Sequence, residues 1–276
     1  MLKRKVVFSL AAWIALVIVL IWSLFPILFI FSSSLKQPAE IFAYPPSFLG
    51  KFSFNNYIDL ARSWKGFFPD LLNTFIVTIL TVFFTTLFAL PTSYAFSRYT
   101  SRYVRATGFL LIAARMFPPI IITIPFYPIF QRLGFMDRHL TLVFFYSAFY
   151  ISISTWILKN FIDMVPQELE EAAYIEGCSK FQSFVRIVLP LISPGILSLG
   201  ILVSLFCWKE FLFAFLFTTK IARTAPVTLN EMLGSMFGVS WGPLFAAAAL
   251  HLLPILICIW VFQNVLVEGI GYSTEK

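Results

Sequence analysis

Charge is what this sequence has least of. Its 276 residues hold 20 lysines and arginines and 13 acids, so only 12% are charged, about half the share of a soluble domain. Histidine is scarce. His139 and His251 stand far apart in sequence and offer no metal-ligand spacing. Of the cysteines, Cys207 and Cys258 lie in apolar runs and Cys178 in a polar loop. That pattern excludes a disulfide framework. A phosphate-binding loop is missing, because Gly50-Lys51 has no glycine at the required distance upstream and is followed by Phe52. Gly-x-Ser-x-Gly and His-Glu-x-x-His are missing too. The chain is therefore not expected to hydrolyse ATP or to act as an enzyme, and no metal or cofactor is expected on it. No internal repeat is present.

Apolar residues are what it has instead, at 59%, with 34 phenylalanines and a mean hydropathy of +0.88. A water-soluble fold could not hide that much apolar surface, so lipid must cover much of it. Phenylalanine then fills lipid-facing and helix-packing surface. The net charge of +7 does not point to nucleic acid, because the basic residues flank apolar runs as membrane anchors do.

A spanning helix needs about 20 mostly apolar residues. Six runs qualify: Val6 to Phe31, Leu71 to Ser97, Thr107 to Phe130, Leu140 to Leu158, Leu191 to Thr219 and Trp241 to Val267. The first is too long for a signal-peptide core and is expected to be a retained helix. The third holds Pro118, Pro119, Pro125 and Pro128, which predicts a broken or bent helix. Polar stretches separate the runs. The chain reads as an all-α membrane protein, one transmembrane domain over residues 1–276, with both termini on the cytoplasmic side. Lys3-Arg4-Lys5 and the Arg98, Arg102 and Arg105 cluster favour that side.

Residues 159–190 then fall in the cytoplasm. Pro166 suits the first position of a helix. Glu168, Glu170 and Glu171 follow in its opening turns, Ala172 and Ala173 permit close approach, and Gly177 suits a helix end. Ser179 and Gln182 read as a capping box for a second helix. Phe181, Phe184, Val185 and Val188 give that helix an apolar stripe, and Pro190 is expected to stop it. From these residues alone, a docking elbow and a membrane-lying linker are equally good readings.

Glu171-Ala172-Ala173, Gly177 and Ile187-x-Leu189-Pro190 resemble the E-A-A-x-x-x-G…I-x-L-P signature of ATP-binding-cassette (ABC) importer permeases, with Glu176-Gly177-Cys178 where the family often has Asp-Gly-Ala. Ser33-Ser34-Leu35-Lys36, Asn73-Thr74-Phe75, Tyr94-Ala95-Phe96-Ser97-Arg98 and Met116-Phe117-Pro118 extend the likeness over nearly the whole chain. It is similar to the six-span partner of the maltose-type carbohydrate permeases. The resemblance implies a type I importer (MetI-like) fold and sugar or polyol import across the inner membrane. The implied partners are a second permease, two ATPase subunits that bind ATP and Mg, and an extracytoplasmic solute-binding protein. It also implies that Glu171, Ala172, Ala173, Glu176, Gly177, Leu189 and Pro190 couple to the ATPase. A non-carbohydrate solute and a stand-alone secondary transporter are the alternatives.

Arg115, Lys209 and Glu210 lie inside apolar runs. Each costs about 2.5–3.5 kcal/mol at a helix centre, so each needs a partner or water. Trp208, Lys209 and Glu210 are candidate residues of the substrate path. A buried ion pair is an equal alternative for Lys209 and Glu210, and the favoured one for Arg115. The family commonly has Asn where this chain has Lys209. His251 is expected to bond between helices and His139 to be solvated.

Overall fold

The computed structural model describes the backbone of residues 2–45, 52–235 and 238–271, and side chains within 12–45, 52–235 and 238–263. Pro46, the Gly50-Lys51 pair, the tail to Lys276 and the side chains of Lys3, Arg4 and Lys5 lie outside the described residues. The described residues form helices and no strand. In order these are α1 (Leu2–Ser34), α2 (Pro38–Ile41), α3 (Asn55–Ser63), α4 (Phe67–Arg98), α5 (Arg102–Met116), α6 (Pro119–Arg132), α7 (His139–Asp163), α8 (Gln167–Ile175) and α9 (Lys180–Ser183). A π-helical turn, Phe184–Val188, leads into α10 (Leu189–Leu191), α11 (Ser193–Trp208), α12 (Leu212–Phe217), α13 (Ala225–Leu233) and α14 (Trp241–Gly271).

Among the described residues four helices are long and apolar enough to cross a membrane, within Ala12–Ser34, Phe67–Arg98, His139–Asp163 and Trp241–Gln263. Two bent pairs raise the number to six if each is one span: α5 with α6, bent by 92°, and Lys180–Leu191 with α11, bent by 71°. The first bend falls at Phe117-Pro118, where Phe117 is extended and Pro118 caps α6. A residue before proline is pushed out of helical geometry, and proline brings no N–H to continue the ladder. The expected break in the third run is thus present.

The second bend corrects the expectation for Pro190. Pro190 does not stop the helix begun by the capping box. The helix widens instead, with the Leu189 N–H bonding to the Phe184 carbonyl, a five-residue step that changes which carbonyls need a donor. The turn comes at Ile192, whose own N–H still reaches the Val188 carbonyl at 3.0 Å.

The chain divides into two compact units, Met1–Phe68 with Thr228–Pro254, and Pro69–Val227 with Ile255–Lys276. In the first unit, the Asn56 amide donates to the carbonyls of Ser34 (2.9 Å) and Lys36 (2.7 Å). This closes the end of α1, where helical carbonyls lack intrahelical donors, and gives the Ser33-Ser34-Leu35-Lys36 stretch its physical role. The Tyr57 hydroxyl lies 2.8 Å from Ser34 Oγ. Phe29 meets Phe245 edge-on at 5.7 Å. Every residue of α1 from Ala12 to Pro26 is exposed.

In the second unit α4, α7, α11 and α12 share the core. Val77, Leu142, Phe145, Tyr146, Leu199 and Phe217 are buried there, and Phe145 stacks on Phe217 at 4.4 Å. Gly195 lets α11 lie against α7, since a Cβ at that position would overlap the Phe161 ring.

Candidate functional site

The polar segment after α7 folds into a helix, a tight turn and a second helix. Pro166 occupies the cap position before α8, one residue earlier than its expected first-turn place. Glu168 and Glu170 lie in the first turn, where the helix dipole favours anions. The end of α8 is a Schellman motif. The Cys178 N–H reaches the Ala173 carbonyl at 2.9 Å and the Gly177 N–H the Tyr174 carbonyl at 3.1 Å. Gly177 has φ +91° with open space around it, so its lack of a side chain serves backbone geometry, not packing. Glu176 is the C-cap. The capping box is complete: Ser179 Oγ accepts from the Gln182 N–H at 3.2 Å and Gln182 Oε1 from the Ser179 N–H at 2.8 Å.

The two neighbouring glutamates point differently. Glu171 and Ala172 are exposed, while Glu170 and Ala173 are buried. Glu170 Oε1 accepts from Arg98 Nε at 2.7 Å and Oε2 from the Tyr94 hydroxyl at 2.5 Å. The same guanidinium donates to the Val165 carbonyl at 3.0 Å and to Ser97 Oγ at 3.0 Å. Ser97 in turn donates to Asp163 at 2.6 Å, and Asp163 pairs with Lys159. A hollow of about 160 Å³ beside this network is lined by Tyr99, Gln167, Glu171 and Lys180 among others. Leu189 is half-buried and Pro190 exposed. The apolar stripe on the second helix is divided: Val188 is buried, and Phe181 is 74% exposed.

Trp208, Lys209 and Glu210 form the second candidate site. The run is not one continuous helix, as expected: Trp208 is the last residue of α11, and Lys209 and Glu210 lie in the break before α12. Glu210 caps α12, accepting from the Phe213 N–H at 2.9 Å and the Ala214 N–H at 3.4 Å. Lys209 caps the other helix, at the C-terminus of α11. Each charge therefore complements the helix end it occupies, and the two do not pair. Ion pairs form elsewhere, at Arg98–Glu170, Lys159–Asp163 and Arg223–Asp70. The ion pair favoured for Arg115 is not formed either; its guanidinium lies 5.8 Å from the Phe149 ring centroid. Lys209 is exposed, its Nζ 5.2 Å from the Phe206 ring centroid, whereas Trp208 is 5% exposed. Non-helical backbone at membrane depth is tolerated where protein or a water-filled cavity faces it.

At its other end α4 meets the loop after α12. The Asn73 amide donates to the carbonyls of Ile221 (2.9 Å) and Arg223 (2.9 Å), and Arg223 pairs with Asp70 at 2.8 Å. His139 is not simply solvated, since its Nε2 lies 2.7 Å from Asn73 Oδ1. Asp137, with φ +58°, receives the backbone N–H groups of Thr219, Lys220, Ile221 and Ala222. Partial burial works against its charge, but these donors prevail and hold the carboxyl well below the usual range. Glu170, Arg98, Tyr94 and Asp137 are residues that the sequence does not single out as site residues. A signal for Glu170 was its place three residues before Ala173, on the same helix face.

The comparisons with known proteins come to the same architecture. Residues 60–272 match the family model described as binding-protein-dependent transport system inner membrane component. The sulfoquinovosyl glycerol transport system permease protein SmoH of Agrobacterium fabrum is 31% identical over 94% of this chain and 90% of its own. The trehalose/maltose transport system permease protein MalG of Thermococcus litoralis is 31% identical over 85% of this chain and 87% of its own. In fold, the chain is similar to a subunit of a bacterial ABC transporter involved in the import of the acidic polysaccharide alginate. That match has a TM-score of 0.81 and 21% identity, covering 95% of this chain and 97% of the other. With most of its length under the family model and two relatives this similar, the chain belongs to the inner membrane components of binding-protein-dependent transport systems.

Proposed function

We propose that this chain is a permease that moves a sugar or related polyol inward from an extracytoplasmic binding protein, using ATP hydrolysed on separate subunits. The relatives named for sulfoquinovosyl glycerol and for trehalose and maltose support a sugar cargo. A second permease and two ATPase subunits complete the assembly, and the ATPases hold ATP and Mg. The 159–190 segment faces the cytoplasm with both termini, as the basic residues near the chain start and after α4 suggest.

One observation carries the reading: the elbow is built rigidly and presents an acid outward. Its turn is fixed by the Schellman motif and the capping box. Glu171 and Ala172 are exposed on its first helix while the opposite face is locked to α4. Such a piece can be pushed as a unit. An ATPase with a basic cleft meets Glu171, Ala172 lets its backbone come close, and Glu176 adds a second exposed acid. Gly177, Leu189 and Pro190 shape the lever, with Ala173 packed beneath it. ATP binding closes the ATPases, the elbow moves, and the spans switch between two packed arrangements. Lys209 contributes to the cavity through its open side chain. Trp208 and Glu210 hold the break that presents it.

The test is Glu171→Arg in the complete transporter. Reversing the outward acid is expected to abolish uptake and to uncouple or release the ATPase subunit. Uptake at the parental rate would contradict the docking surface.

A further inference from the structure

We propose that Glu170 is the residue that hands movement of the elbow to α4, and that α4 delivers it to the loop after α12 at the far side of the membrane. The proposal rests on the elbow being where force enters.

The chain itself joins the elbow only to α7 and α11. No covalent route leads directly to α4, from which Glu170 is separated by 72 residues at Arg98 and 76 at Tyr94. The link is made by side chains instead. The Glu170 carboxylate uses one oxygen for the Arg98 guanidinium and the other for the Tyr94 hydroxyl, at 2.7 and 2.5 Å. Side-chain exposure at the ion pair is 10% for Arg98 and 5% for Glu170, so water competes little and the contact is stiff. Arg98 also binds the Val165 carbonyl. The guanidinium therefore grips both α8 and the turn that feeds it. Two contact points on successive turns of α4 fix direction as well as distance.

What α4 does with the motion follows from its other end. A 32-residue helix is about 48 Å long, enough to cross the bilayer. At the far end Asp70 holds Arg223, the Asn73 amide holds two carbonyls of the same loop, and Thr74 Oγ1 accepts the Ala225 N–H at 2.9 Å. The helix is thus fastened at both ends by partly to fully buried polar contacts. A purely structural ion pair would explain the near end alone. Buried pairs are also a poor source of net stability compared with apolar packing. Fastening at both ends is the arrangement of a strut.

The experiment needs no knowledge of the solute. Spin labels are placed at Ile175→Cys, on the elbow, and at Leu72→Cys, at the far end of α4; both side chains are exposed. The complete transporter is reconstituted and MgATP with vanadate is added. In the parent, both labels are expected to change their spectra. In Glu170→Ala, and in the Arg98→Ala, Glu170→Ala double variant that leaves no unpaired charge, the Ile175 label should still respond. The Leu72 label should lose its response. Exchanging the charges, Arg98→Glu with Glu170→Arg, should restore it. An unchanged Leu72 response in the two alanine variants would overturn the relay, as would a silent Leu72 label in the parent. Failure of the exchanged pair to do better than Glu170→Ala, with its Ile175 label still responding, would also overturn it. A parent whose Ile175 label ignores MgATP would overturn the docking reading itself, and the relay with it.

Discussion

Glu170 and Glu171 share a peptide bond and have opposite fates. One residue of helix turns a side chain by about 100°, which is enough to bury the first against α4 and leave the second in the open. The E-A-A resemblance singled out the exposed glutamate. Nothing local in the sequence could identify the partner of the buried one, because Tyr94 and Arg98 arrive from a helix more than seventy positions earlier. Gly177, Ser179 and Gln182 were legible, since turn and cap chemistry lives within a few neighbouring residues. Asp137 was not, because its work is to collect backbone donors from a distant loop. Its folded carboxyl is held below the usual range, so the sign is that of an acid stabilising the fold when ionised. That contribution is complete above the ordinary carboxylate range, near pH 4. It is lost as pH falls through that range toward the depressed value. Asp137→Ala is expected to cost about 1 kcal/mol at neutral pH, less than a fully buried charged hydrogen-bonding group would, because solvent reaches the site. Thermal unfolding of the detergent-solubilised protein followed against pH checks both parts: the variant should melt lower near neutrality and lose less on acidification.

At the scale of elements, hydropathy located every long helix, and the proline pair Pro118-Pro119 located the 92° bend. Pro190 misled because proline's effect on a helix depends on whether the preceding turn can widen, and here it does. Lys209 and Glu210 misled in a related way. An apolar run with two charges reads as a continuous span, yet the charges mark the place where one helix stops and another starts. Packing between elements yields a further expectation. The Phe161 ring occupies the space that a side chain at Gly195 would need. Gly195→Val should push α11 away from α7 and destabilise the protein by about 1–3 kcal/mol, the usual range for overpacking. The measurement is the melting temperature of the purified complex. Gly200→Ala on the same helix is the control, because the nearest side-chain atom there leaves room at 3.7 Å.

At the scale of the whole molecule, the family assignment and the six-run pattern agree, and the lack of any phosphate loop in the sequence is the fact with the widest reach. Under the proposed division of labour, with ATP hydrolysed on separate subunits, this chain should not concentrate a solute by itself. Reconstituted by itself in vesicles loaded with ATP, this chain is expected to accumulate neither maltose nor trehalose. Accumulation of either would favour the secondary-transporter alternative. The complete transporter with its binding protein should stop when Lys209→Glu places a second acid in the break, if that residue lines the cavity; radiolabelled uptake at the parental rate would remove Lys209 from the path. The sequence made the class of machine legible because hydropathy and one long signature suffice for it. It left the internal linkages hidden because they join residues that only folding brings together.

The exposed stretch of α1 from Ala12 to Pro26 carries one last implication. Fifteen consecutive exposed positions leave an unassembled copy with an apolar helix surface for fatty-acyl tails to solvate. Such a copy should be an orphan in the cell, short-lived and cleared by membrane proteases, so that synthesis of this subunit beyond its companions yields turnover rather than surplus.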